Sequence, residues 1–287
     1  MYKRPSFERF SQTWVSISDA KPGYLAQNSG PEAIPVLREI PGSYFDLKIT
    51  EIAHDALLKL GGRLKNSEAL ISCLESENLV VCKAAILKLK EIKDNEAVPA
   101  LLDFLTANKS TVTVEKIMGP DLQMISRKEM RHDRAGELDV RKSAAQALGE
   151  ILGQDKAAQT IIDLYKKTNH PFFKDYIWNL IEVFGSNARP SLIQLLDRGS
   201  TSDRVHALRL LSNMGDLSLI ELFEREFTSS ESSVSEAAAE ALASLGSPSI
   251  DILSDYLSSP KWGLRKRAIV ALMKINDEKA HRLLENA

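Results

Sequence analysis

The chain has 287 residues, 44% hydrophobic, 6% aromatic and 26% charged, enough to bury a sizeable core and unlike a disordered polymer. Lys and Arg total 37 against 39 Asp and Glu, and a formal charge of −2 speaks against a dedicated nucleic-acid binder. Two cysteines, Cys73 and Cys82, are too few for a disulfide framework or a four-ligand zinc site, and each reads as a small buried hydrophobe in a reducing compartment.

Residues 1–29 have no continuous apolar stretch of the signal-peptide kind, so they read as an N-terminal cap segment. No window approaches the roughly 18 uncharged apolar residues of a membrane span. A cytoplasmic protein with no membrane insertion is the expectation. From Gly30, "GPEAIPVLREI" opens a repeating pattern that continues to residue 287. The recurring segments end on Leu60, Ile92, Leu152, Phe184, Met214, Leu245 and Ile275, separated by 32, 60, 32, 30, 31 and 30 residues.

Seven residues before these anchors stand Ala53, Ala85, Ala145, Ile177, Ala207, Ala238 and Ala268. Three before them stand Leu57, Leu89, Gly149, Ile181, Leu211, Leu242 and Leu272. Offsets of three and seven put both sets on one helix face. The small residues let neighbouring helices approach, and the leucines fill the groove. Two residues past the anchors come Asp94, Gln154, Ser186, Asp216, Ser247 and Asp277, suited to accept the free N–H groups of a following helix. Gly153, Gly185, Gly215 and Gly246 stand just before them, where a left-handed helix stop is wanted, and Gly61-Gly62 reads as another stop. The unit is helix A, turn, helix B, stacked about seven to eight times. Neither helix can bury its stripe without its neighbours.

The 60-residue step holds "NKSTVTVEKIMGPDLQMISRKEMRHDRAGEL", residues 108–138. A hidden repeat anchored near Met124 would bury Asp121 and put Gly119-Pro120 inside a helix, where the proline alone costs roughly 3 kcal/mol. The stretch is therefore an insertion between helix A at 96–107 and helix B at 138–152. Apolar alternation on both sides of the Gly-Pro break suits a short β-hairpin. A loop this long is functional or a solvated flap, and its tail presents Arg127, Lys128, Arg131, His132, Asp133 and Arg134 as candidate contacts.

Segments such as "DVRKSAAQALGEILGQDKAAQTIIDLY" and "NEAVPALLDFL" resemble the short HEAT-like repeats of the phycobilin-lyase type, over residues 30–287. The resemblance implies an all-α, right-handed α-solenoid whose B helices line the concave surface. It also implies several alternative uses: protein scaffold, bilin lyase or other tetrapyrrole-handling protein, and DNA-glycosylase-like binder. Bilin lyases of this family carry an insertion before an Arg-rich second helix, as this chain does.

Ten residues before the anchors, Lys142, Lys174, Arg204 and Arg265 place a basic residue on four of the B helices. They form either an anion- or acidic-partner-binding ladder or a set of salt bridges to acids such as Asp175 or Asp203. In "HPFFKDYIWNLIEVF", Tyr176 and Trp178 either face a partner or thicken the core. Trp262, among Lys261, Arg265, Lys266, Arg267 and Lys274, either anchors a partner or packs the end of the array. His54-Asp55 and His132-Asp133 invite comparison with HEAT-like di-iron hydroxylases, whose motif is His-Glu, and the chain has no His-Glu pair. Nucleophilic triads, phosphate-binding glycine loops and metal-spaced Cys/His clusters are missing from the sequence. The leading expectation is a non-enzymatic scaffold that binds another protein without a cofactor, through the helix-B face and the insertion. A tetrapyrrole enters only under the lyase reading, and nucleic acid is the third choice.

Overall fold

The computed structural model describes residues 30–35, 37–38, 47–76, 78–107, 112–118, 124–130, 134–167 and 171–285. The cap segment expected over 1–29 lies outside them. The described part is an all-α array of helical hairpins of the solenoid class. Its elements are α1 (Leu47–Leu64), α2 (Ser67–Ser72), α3 (Leu79–Ile92), α4 (Ala97–Thr106), β1 (Val112–Met118), β2 (Met124–Met130), α5 (Arg134–Leu152), α6 (Gln154–Lys167) and α7 (Pro171–Ile181). There follow α8 (Arg189–Arg198), α9 (Thr201–Ser212), α10 (Ile220–Phe227), α11 (Ser232–Ser244), α12 (Ile250–Asp255), α13 (Trp262–Lys274) and α14 (Glu278–Glu285). Short 3-10 turns join several of these helices.

Each of the seven anchored segments is a B helix: α1, α3, α5, α7, α9, α11 and α13. All seven residues at the small-residue position, Ala53 through Ala268, are fully buried. Leu57, Leu89, Ile181, Leu211, Leu242 and Leu272, four residues further on, are fully buried as well. The chain folds into two compact units, formed by the described residues of Met1–Ala157 with Asp163–Val183, and of Ala158–Ile162 with Phe184–Ala287. In the first, α3 packs on α5; in the second, α9 packs on α11 and α11 on α13. The core of each unit is this series of B helices with their A helices laid against them.

The turn chemistry follows the sequence at most boundaries. Gly153, Gly185, Gly215 and Gly246 all have positive φ, between 51° and 90°, the left-handed conformation that a side chain disfavours. Asp94, Asp216 and Asp277 accept the backbone N–H of Glu96, Ser218 and Lys279 at 3.0, 2.9 and 2.8 Å. Ser247 departs from this pattern, because its hydroxyl instead donates to the Asp277 carboxylate at 2.6 Å. Gly61-Gly62 is not a stop: α1 runs through both glycines to Leu64, and the left-handed residue is Lys65, with φ 51°. Gly61 is small for another reason, since a Cβ there would lie 3.0 Å from the Leu70 side chain of α2.

Helix A of the interrupted repeat is α4, as expected, while helix B starts a turn earlier than expected, at Arg134. Within the insertion, β1 and β2 pair antiparallel, from Val112 opposite Met130 to Met118 opposite Met124.

Candidate interaction surface on the second helices

The position ten residues before the anchors was expected to present charge on four of the seven B helices; at several repeats, charged or not, it donates hydrogen bonds inward. Cys82 directs its thiol at the Ser76 carbonyl, 3.2 Å away, at the end of the 3-10 turn that follows α2. Ser235 donates to the carbonyl of Phe227, the last residue of α10. Arg265 donates to the carbonyls of Ser259 and Pro260 at 2.7 and 3.1 Å. The carbonyls at and just past the end of a helix have no intrahelical donor, and this position supplies one from the following B helix. Arg204 instead binds Glu226 and Ser229 of the next repeat. Asp203, a partner considered from the sequence, is held in a capping box with Ser200. Glu226 is buried and also accepts from Arg225 at 3.0 Å, so two guanidinium groups offset the cost of its desolvation. Lys142 is half-buried on α5, with no ion pair among the described residues. The side chain of Lys174 lies outside the described residues.

One residue before Lys142, Arg141 carries the role that the pattern assigned to its neighbour. Its guanidinium is buried and donates to the carbonyls of Phe104, Leu105 and Ala107, at the end of α4. It also pairs with Glu137 in the first turn of α5. It lies 4.7 Å from the centre of the Tyr176 ring, and the Tyr176 hydroxyl donates to the Leu105 carbonyl. Burial pushes the Tyr176 phenol up to about 12. The two stems of the insertion are therefore tied together by one buried cation. Sequence reasoning passed over Arg141 because an arginine beside a lysine reads as surface charge. Its place just before the capping position is the signal that could have found it.

Trp178 is half-buried and meets Tyr165 edge-on at 5.3 Å, which places it with the packed residues of α6 and α7. Residues Arg131, His132 and Asp133 lie outside the described residues. Arg127 and Lys128 belong to β2 and Arg134 opens α5, with their side chains outside the described ones. Cys73 and Cys82 are buried free thiols, and burial pushes Cys73 up to about 12, which disfavours its thiolate at neutral pH. Among the described residues no group of three or more His, Cys, Asp or Glu is placed to hold a metal ion.

Trp262 behaves differently. It is 65% exposed, so it does not pack the end of the array. With Val270 at 45% and Met273 at 66% it forms an apolar row along α13, at spacings that return to one helix face. Lys266 lies in that row, 5.4 Å from the Trp262 ring centre. The row edges a groove whose other wall is α11, with Ala239, Glu236 and Glu240. Arg267 reaches across to the Ser232 hydroxyl at 2.7 Å, and Lys274 pairs with Glu240 at 2.9 Å. A related row of exposed apolar residues, Val80 and Leu87, lies on α3. Among the described residues, the groove is the one place where a candidate residue from the sequence stands exposed beside other apolar side chains on a B helix.

Hairpins of an A helix and a B helix, stacked mostly through alanines, define a helical-repeat protein of HEAT-like architecture. Residues 189–273 and 228–287 match the family model for HEAT repeats. Among solved structures, human deoxyhypusine hydroxylase in complex with glycerol is similar at 15% identity, over 89% of this chain and 97% of that one, with a TM-score of 0.32. A likeness at that level carries no inference about activity. No curated protein matches the chain. No helix among the described residues is long and apolar enough to cross a membrane.

Proposed function

We propose that the protein is a non-enzymatic scaffold that binds a partner protein through the exposed side of its B helices and through the insertion at 108–138. The carrying observation is the exposed row of Trp262, Val270 and Met273 on α13. Large apolar side chains exposed together are the usual signature of a contact surface, and tryptophan is enriched among the residues that dominate binding energy. Such a surface acts by area and shape and needs no catalytic constellation. The insertion supports the reading because Arg141 ties both of its stems to the array, an internal bond set that a free linker would not need.

The test is affinity capture from the source organism with the intact chain, with Trp262→Ala, and with residues 110–131 replaced by a short Gly-Ser linker. The scaffold reading expects a protein retained by the intact chain and lost from one or both variants, while helicity stays unchanged. A retained set indifferent to both changes overturns it.

A further inference from the structure

We infer that the α11–α13 groove takes an acidic peptide segment, with an apolar side chain laid on Trp262 and Val270 and a neighbouring carboxylate on Lys266 and Arg267. This rests on the scaffold reading and names the chemistry of its partner. Lys261 and α13 together carry five cations and no acid. Three of the five are used differently. Arg265 is spent on backbone carbonyls and Lys274 on Glu240, while Arg267 donates to the Ser232 hydroxyl, which in turn donates to the Glu236 carboxylate at 3.0 Å. Lys266 has the Trp262 ring. Among the described residues, then, neither Lys266 nor Arg267 has a carboxylate partner. Two cations with no carboxylate in direct contact, beside an exposed indole and Val270, are complementary to a side chain pair of one acid and one large apolar group.

The opposite wall decides between a peptide and a nucleic-acid strand. Glu236 and Glu240 line it, the second paired with Lys274, and a phosphate backbone, charged at every nucleotide, could not run along the groove without facing Glu236. A peptide can keep its carboxylates on the α13 side and turn backbone N–H groups towards Glu236.

The experiment is selection of a random peptide-display library on the immobilised full chain, run in parallel on Trp262→Ala and Lys266→Glu. Both residues are exposed, and unchanged thermal melting of each variant shows that the fold is intact. The expected result is enrichment of peptides with Asp or Glu within a few positions of Phe, Leu or Met. That enrichment is to fall at least about tenfold on Trp262→Ala and to lose its acidic bias on Lys266→Glu. Enrichment without acidic bias, no enrichment, or enrichment unchanged in both variants overturns the inference. So does saturable binding of a single-stranded oligonucleotide that Trp262→Ala abolishes, which would assign the groove to nucleic acid. If acidic peptides are not selected while partner capture still requires Trp262, the partner's chemistry is wrong and the scaffold stands.

Discussion

Arg141 shows what a single buried charge does in this array. Its guanidinium serves three carbonyls at the end of α4 and one carboxylate of α5. Removing it leaves those acceptors in a dry site, and losing one partner of a buried set costs about 3–5 kcal/mol. Arg141→Met is therefore expected to lower the denaturation midpoint strongly, whereas Lys142→Met, one residue on, changes stability by less than about 1 kcal/mol. Equal effects from the two would show that Arg141 is not the tie. Lys65 gives a prediction of opposite sign. It holds a left-handed conformation at φ 51° that costs a side-chain-bearing residue about 1–2 kcal/mol, so Lys65→Gly should raise the melting temperature. At this scale the sequence is an uneven guide. Alanines at the helix-contact position and the four turn glycines were legible because steric need leaves a small-residue signature. Arg141 and Lys65 were not, because a charged side chain reads as surface until its carbonyl partners or its φ are known. Gly61 was misread for the converse reason: close approach between helices and a left-handed stop both call for glycine.

At the scale of the element, the regular hairpin and the insertion obey different constraints. A B helix is fixed by its buried face, so its existence and register follow from spacing alone. Its first residue does not: α5 begins at Arg134, so that Glu137 is already helical and stands one turn before Arg141, with which it pairs. The charged B-helix position was half legible. Its spacing was plain, but its use for the preceding helix's carbonyls becomes visible only when A and B are packed together. Since the insertion is bound at its stems through Arg141, replacing residues 110–131 by a short linker should preserve helical circular dichroism and the cooperativity of unfolding. Loss of cooperative melting would show that the segment is part of the core.

For the whole molecule, the repeat also sets the response to acid. Asp94, Asp216 and Asp277 hold equivalent turns, and each has its carboxyl lowered from the ordinary 3.8. The causes are hydrogen bonds, led by the Ser67 hydroxyl at Asp94, the Ser218 hydroxyl at Asp216 and the Ser247 hydroxyl at Asp277. A carboxyl lower in the folded than in the unfolded chain adds stability that is complete above the unfolded value. That stability is lost as pH falls through the folded one. Melting temperature should therefore drop as pH is taken below the ordinary carboxylate value, and Asp216→Asn with Asp277→Asn should flatten the drop. A slope unchanged by the pair of substitutions would remove these turns from the acid response.

The central claim is that the exposed α13 row is where a partner protein sits. The most direct measurement replaces Trp262, Val270 or, as a control, the exposed Leu217 with a photo-crosslinking amino acid. The intact chain is then irradiated in extract of the source organism. A scaffold acting through its B helices gives the same discrete protein adduct from positions 262 and 270 and none from 217. Equal adducts from all three positions, or none from the α13 pair, would contradict it.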